Sequence, residues 1–283
     1  MAIFTNQATL RYNGNVVNSN ITTGEIVEVL SASKTAVVDT YTTGSQITYI
    51  INIVNAGTTA YTGITITDDL GEYDFGTEQL VPLNYVDGSV KYFVAGVLQP
   101  TPAVSVGAPL IISGITVPAG GEATIAYAVT ANEFAPMNLE GEITNTAVIS
   151  GEGFTDITVS ETVSAQAGAR LSITKAVSPT TVAENGRITY TFTIQNTGNA
   201  PVVAADNATV TDTFTPILSD IVVTYNGTTW TEPTNYTYNE ATGLFATVPG
   251  QITVPAATYS QDATTGEWIV EPGVSVLTVT GTI

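Results

Sequence analysis

The chain has 283 residues, with 25 Asp or Glu against six Lys or Arg, for a net charge of −19. So acidic a protein lacks the cationic surface that nucleic acid needs, and an anionic membrane is disfavoured for the same reason. Cys and His are absent, which removes thiol nucleophiles, disulfides, imidazole acid–base chemistry and the usual zinc and copper sites.

Thr, Val, Ile and Tyr are frequent, Gly and Pro are scattered throughout, and the mean hydropathy is +0.24. This is the palette of strands and turns. No apolar run is long enough to span a bilayer, so no membrane insertion is expected. No cofactor and no metal is implied. The length allows two domains, each with a real core.

In chain order, residues 1–33 hold two apolar stretches around Asn13-Gly14, a hairpin signal. The opening, Met1-Ala2-Ile3-Phe4-Thr5-Asn6, has no basic region followed by an apolar core, so no secretory signal is visible. A first unit, 34–168, begins with Lys34-Thr35-Ala36-Val37. It runs through Gly44-Ser45-Gln46-Ile47-Thr48-Tyr49, Asn55-Ala56-Gly57, Thr65-Ile66-Thr67-Asp68 and Val117-Pro118-Ala119. A strand follows with Ala123, Ile125, Tyr127 and Val129 on one face, and the unit closes with Ile143-Thr144-Asn145-Thr146-Ala147-Val148-Ile149.

A second unit, 169–283, repeats the order. Lys175-Ala176-Val177, Asn185-Gly186-Arg187-Ile188-Thr189-Tyr190, Asn196-Thr197-Gly198, Thr209-Val210-Thr211-Asp212 and Val254-Pro255-Ala256 return in turn. Ile188, Tyr190, Phe192 and Ile194 alternate with Thr and Gln, as on a half-buried strand. The fold class expected is all-β: two tandem immunoglobulin-like β-sandwiches with an N-terminal donor-strand segment.

The repeat is out of phase with the chain. Val274–Ile283 resembles the strand around Glu122–Ala131, and no counterpart of the closing Thr-Asn-Thr-Ala segment follows it. That counterpart stands at the other end, as Phe4-Thr5-Asn6-Gln7-Ala8-Thr9-Leu10, and Asn6 precedes Lys34 by nearly the spacing that separates Asn145 from Lys175. A sandwich without its last strand exposes an apolar groove and an unpaired edge. An isolated strand cannot satisfy its own backbone. Strand addition solves both problems, with Phe4, Ala8, Leu10 and Tyr12 as the donor positions. The expected partner is a second copy of the chain, in a head-to-tail contact that does not close and so gives an open fibre. A chain folded back on itself and a closed swapped dimer are the alternatives.

Strand parity also picks out six polar residues. Lys34 is in phase with Leu30 and Ala32, Lys175 with Leu171, Ile173 and Val177, Asp68 with Ile64 and Ile66, and Asp212 with Val210 and Phe214. Asn145 is in phase with Ile143 and Ala147, and Asn6 with Phe4 and Ala8. All six are expected to point into cores, where unpaired polar groups are costly.

The ordered set of a Lys-Ala/Thr-Val opening, an Ile-Thr-Tyr strand, Asn-x-Gly, a Thr-Asp turn and a Thr-Asn-x-Ala close resembles the bacterial surface-repeat family known as domain of unknown function eleven. A first-strand Lys, a last-strand Asn and an acidic residue between them are similar to Gram-positive pilin and adhesin domains with internal Lys–Asn isopeptide bonds. That resemblance implies a bond between Lys34 and Asn145 assisted by Asp68. It implies a second between Lys175 and Asn6 of another subunit, assisted by Asp212. It also implies an extracellular place on a cell surface, and the missing secretory signal is compatible with a spore surface. The simpler reading of each trio is a buried Lys–Asp ion pair with Asn alongside.

Other signals are weaker. Asp68-Asp69, Glu72 and Asp74 cluster at a turn with no EF-hand spacing. Tyr225 and Trp230 are candidates for a sugar-binding platform, the mark of an adhesin or carbohydrate-binding module. A hydrolase needs paired carboxylates in a cleft, and no such constellation stands out, so no enzyme is expected.

Overall fold

The computed structural model describes residues 2–26 and 28–283. The described chain is built from β-strands, with one short 3-10 turn at Ala204–Asp206. No helix in it is long and apolar enough to cross a membrane.

The N-terminal strands β1 (Ala2–Asn6), β2 (Thr9–Tyr12), β3 (Asn15–Asn18) and β4 (Thr22–Ile26) form a nested hairpin ribbon. β2 pairs with β3 around Asn13-Gly14, both at positive φ as a tight hairpin turn requires. β1 pairs with β4, from Ala2 opposite Ile26 to Asn6 opposite Thr22. The Phe4 ring lies over Gly24, where a Cβ would stand 2.3 Å from it. Among the described residues these strands pair only with one another. Phe4, Leu10, Tyr12, Val16 and Val17 are all exposed, an apolar load that no small free ribbon gains from showing to water.

The described chain divides into two compact units. The first holds residues up to 132, the ribbon included, together with 143–163; the second holds 133–142 and 164–283. The segment 133–142, expected inside the first unit, therefore packs with the second. There the Trp268 amide donates to the Glu133 carbonyl, and the Asn199 side chain donates to that of Met137.

In the first unit the principal strands are β5 (Leu30–Ala36), β6 (Thr40–Tyr41), β7 (Gln46–Asn55), β8 (Tyr61–Asp68), β9 (Leu110–Val117), β10 (Glu122–Ala131), β11 (Glu142–Ser150) and β12 (Ile157–Ala165). One sheet runs β10-β7-β5 with short strands on its far side; the other runs β9-β8-β11-β12-β6 beyond a short edge strand. Period-two alternation puts Ile47, Tyr49, Ile51 and Ile53 of β7 and Ile125, Tyr127 and Val129 of β10 inside the sandwich.

In the second unit the principal strands are β13 (Leu171–Ser178), β14 (Arg187–Asn196), β15 (Thr211–Thr213), β16 (Ser219–Tyr225), β17 (Leu244–Thr247) and β18 (Gly273–Thr282). One sheet runs β13-β14-β18-β16 and ends on a short strand. The other has three strands, β15, β17 and Tyr236–Asn239. Phe192, Phe214, Phe245, Leu277 and Val279 centre the core between them.

Candidate functional site

The structure brings Lys34, Asp68 and Asn145 into one interior. Lys34 faces inward from β5, opposite Ile51, and its Nζ lies 2.7 Å from Asp68 Oδ2 with both side chains fully buried. The ammonium also sits 4.8 Å above the Tyr49 ring. Asp68 ends β8, and its Oδ1 accepts the Leu70 amide at 3.1 Å. β11 runs alongside β8 with Ala147 opposite Asp68, which brings Asn145 into the same interior at 0% exposure.

One member was not singled out by its sequence context. The Tyr127 hydroxyl donates to Asp68 Oδ2 in a short bond and accepts from Asn145 Nδ2 at 3.5 Å. Its ring stacks on Tyr49, centroids 5.8 Å apart. Asn145 Oδ1 is buried without a hydrogen-bond partner, and the Tyr49 hydroxyl lies near the Asn145 side chain without a bond of good geometry. An interior carboxamide with a bare carbonyl oxygen is costly as a purely structural group.

Burial drives the Lys34 pKa below its ordinary 10.5, against smaller opposing effects of Asp68, Asp69 and Glu161. Desolvation disfavours the charged amine, and a neutral amine is the nucleophilic form. This gives a pH test in Asn145→Ala, where no bond can form. Below the unfolded pKa the unfolded Lys34 binds more proton than the folded one, so stability is fullest above 10.5 and declines as pH falls below it. The melting temperature of that variant should climb as pH rises from neutral. Measurements kept below 10.0 avoid ordinary tyrosine titration. A flat profile would show that Lys34 stays an ordinary ammonium.

The second trio is half-built. Lys175 pairs with Asp212 in a short ion bridge and lies 4.4 Å over the Tyr190 ring. The Lys175 side chain is nevertheless 40% exposed, so the expected burial does not hold in this chain alone. The reason lies in the neighbouring strands. Every residue of β13 is exposed, and Leu171 shows 48% of its surface where the equivalent Leu30 shows 9%. β15, which carries Asp212, pairs with β17 on one side, Asp212 opposite Phe245. Its other edge has no partner among the described residues. That is the side on which β8 receives β11 in the first unit. An apolar groove of about 160 Å³ opens there, lined by Leu171, Ile173, Ile194, Ala208, Val210 and Ile252.

Asn6, the third member expected, lies on the exposed ribbon opposite Thr22. The donor positions Phe4, Ala8, Leu10 and Tyr12 are exposed with it. One cross-strand pair of the ribbon matches one of the β11–β12 pair. Thr5 stands opposite Thr23 as the hydroxyls of Thr144 and Thr162 meet at 2.8 Å.

The remaining candidates resolve simply. Asp69 Oδ1 accepts the amides of Gly71 and Thr146 and so closes a turn. Among the described residues no acidic or other cluster is arranged to hold a metal. Tyr225 and Trp230 stack on each other, buried, and offer no exposed platform.

No family model matches the chain, and no curated protein matches it in sequence. Among solved structures it is similar to the pilus backbone protein RrgB of Streptococcus pneumoniae, at 12% identity and TM-score 0.35, over 86% of this chain and 55% of that one. It thus spans about half the length of that neighbour. It is similar to BcpA, the major pilin subunit of Bacillus cereus, at 12% identity and TM-score 0.36, over 95% of this chain and 73% of that one. It is also similar to the collagen-binding domain of a Staphylococcus aureus adhesin, at 13% identity and TM-score 0.31, over 50% of this chain and 99% of that one.

Proposed function

We propose that the chain is a non-enzymatic structural subunit of an extracellular fibre on a cell or spore surface. It polymerises head to tail by strand donation and is reinforced by Lys–Asn isopeptide bonds. One observation carries the reading: the open edge beside Asp212, at the position where the first unit seats its own Asn-bearing strand. The occupant is the N-terminal ribbon of a second copy. Its sequence follows the β11 pattern, and it holds its apolar side chains in water. Docking supplies backbone partners for β15 and places Phe4, Ala8, Leu10 and Tyr12 along the groove. Each large apolar side chain buried there contributes on the order of 1.5–3 kcal/mol.

Within a chain, Lys34 and Asn145 join with help from Asp68. Between chains, Lys175 and Asp212 meet Asn6. Each reaction happens once and modifies the protein itself, so it is not turnover of a substrate.

Negative-stain electron microscopy of the purified, unboiled chain tests assembly. Thin fibres with two beads per subunit are expected. Compact particles at every concentration would mean that the ribbon closes on its own chain or in a dimer, and the polymer reading would fall.

A further inference from the structure

The buried face of β10 bears on how the first bond forms. Tyr127 lies opposite Tyr49 in the β10–β7 register. In the second unit the matching strand β18 puts Val279 opposite Tyr190. Val279 is fully buried and belongs to that core. The sandwich is therefore made in the second unit with no hydroxyl at this position. The first unit has a hydroxyl there, and it touches two of the three groups in the trio: Asp68 Oδ2 and Asn145 Nδ2.

We propose that the Tyr127 hydroxyl is a catalytic group in formation of the first unit's bond, carrying a proton from Asp68 to Asn145 Nδ2 as ammonia departs. This rests on the isopeptide reading above. Lys34 Nζ first passes a proton to Asp68 Oδ2 across their 2.7 Å contact, leaving a neutral amine and a carboxylic acid. That protonation reverses the Tyr127–Asp68 hydrogen bond. The acid now donates to the phenol oxygen, and the phenol proton is free to turn to Nδ2. The Nζ lone pair forms the bond to Asn145 Cγ. The phenol gives its proton to Nδ2 while receiving the one from Asp68. The Cγ–Nδ2 bond breaks with its electron pair on nitrogen, releasing ammonia, and the Asp68 carboxylate takes the surplus proton from Nζ. One amide forms, one amide breaks, and no oxidant, reductant or water is used.

Amide exchange needs such a shuttle because an amide nitrogen leaves only when protonated, and this interior holds the leaving group away from bulk solvent. Burial raises the Tyr127 pKa, so the phenol stays neutral and can give one proton as it takes another. The Tyr49 hydroxyl of the same ring stack provides the control: it also lies near Asn145 but makes no hydrogen bond to Asp68, so it cannot carry that proton.

The test follows ammonia loss by intact mass after cell-free synthesis, in full-length chains carrying Asn6→Ala so that only the first unit's bond is counted. The parent should shed one ammonia per chain. Tyr127→Phe should slow the loss on the order of 100-fold or more, the usual size of a general acid–base contribution, and Tyr49→Phe should leave it close to the parent. Equal rates for Tyr127→Phe and the parent would overturn the relay while leaving the isopeptide reading intact. So would an equal slowing by Tyr49→Phe, which would mark a packing effect. If the parent itself kept its full mass, the isopeptide reading would fall. Should Tyr127→Phe fail to fold, a fluorotyrosine placed at 127 keeps ring and hydroxyl but changes the acidity. A changed rate supports the relay, and an unchanged one overturns it.

Discussion

Replacing Asn6 by alanine should remove every boil-resistant link between subunits and leave the proposed fibres themselves visible by electron microscopy. The two effects separate because they rest on different parts of the ribbon. Docking depends on backbone pairing along β15 and on Phe4, Leu10 and Tyr12, none of which the substitution touches. The covalent bond depends on a single carboxamide. In the proposed joint Asn6 takes the place of Asn145, beside a lysine and an aspartate already paired. A detergent gel of boiled Asn6→Ala fibres should show monomer alone, where the parent shows a ladder. Asn15→Ala, altered beyond the donor strand in β3, serves as the control and should keep its ladder. A ladder that persisted in Asn6→Ala would place the linking residue elsewhere.

Asn145→Ala has the second large effect, and its size separates a bond from an ion pair. If the trio is only a buried Lys34–Asp68 pair, the substitution loses a single 3.5 Å hydrogen bond. The cost is then about 1 kcal/mol, offset by removal of an unsatisfied carbonyl oxygen. A covalent tie between β5 and β11 closes a long loop. By analogy with a disulfide around a loop of roughly 100 residues, it stabilises by about 4–5 kcal/mol through the unfolded state. Denaturant unfolding of the parent and Asn145→Ala therefore gives clearly different answers under the two readings. A shift near 1 kcal/mol with no change in mass by ammonia would retire the covalent one.

Much of this was legible in the sequence because strand parity has period two. Lys34, Asp68 and Asn145 each share phase with apolar neighbours, and all three are buried. The Asn13-Gly14 turn was equally direct, since few residue pairs adopt its backbone so readily. The place of Tyr127 beside Asp68 is not legible in the sequence, for a physical reason. The residue alternates with Ile125 and Val129 like any core aromatic, and only the register of β10 against β7, with β8 beneath, brings its hydroxyl to Asp68. The segment 133–142 has no periodicity, and its allegiance to the second unit depends on long-range contacts such as that of Glu133 with Trp268. The exposure of Lys175 was not legible either. Parity reports which face a side chain takes, not whether anything covers that face.

The proposed Lys34–Asn145 bond also has a mechanical meaning. In a fibre joined as proposed, tension enters each subunit at Asn6 and leaves through Lys175. The covalent route between them runs along the linker to Lys34, across to Asn145 and on to Lys175. Thr35 to Thr144, and everything beyond Lys175, hang off that route and bear no load. A sandwich torn open lengthens by about 3.4 Å for every residue released, which is how many tandem-domain proteins absorb a pull. A fibre wired in this way would have far less slack: only the ribbon after Asn6 and the stretch from Asn145 to Lys175 could pay out under force, and Thr35 to Thr144 could not.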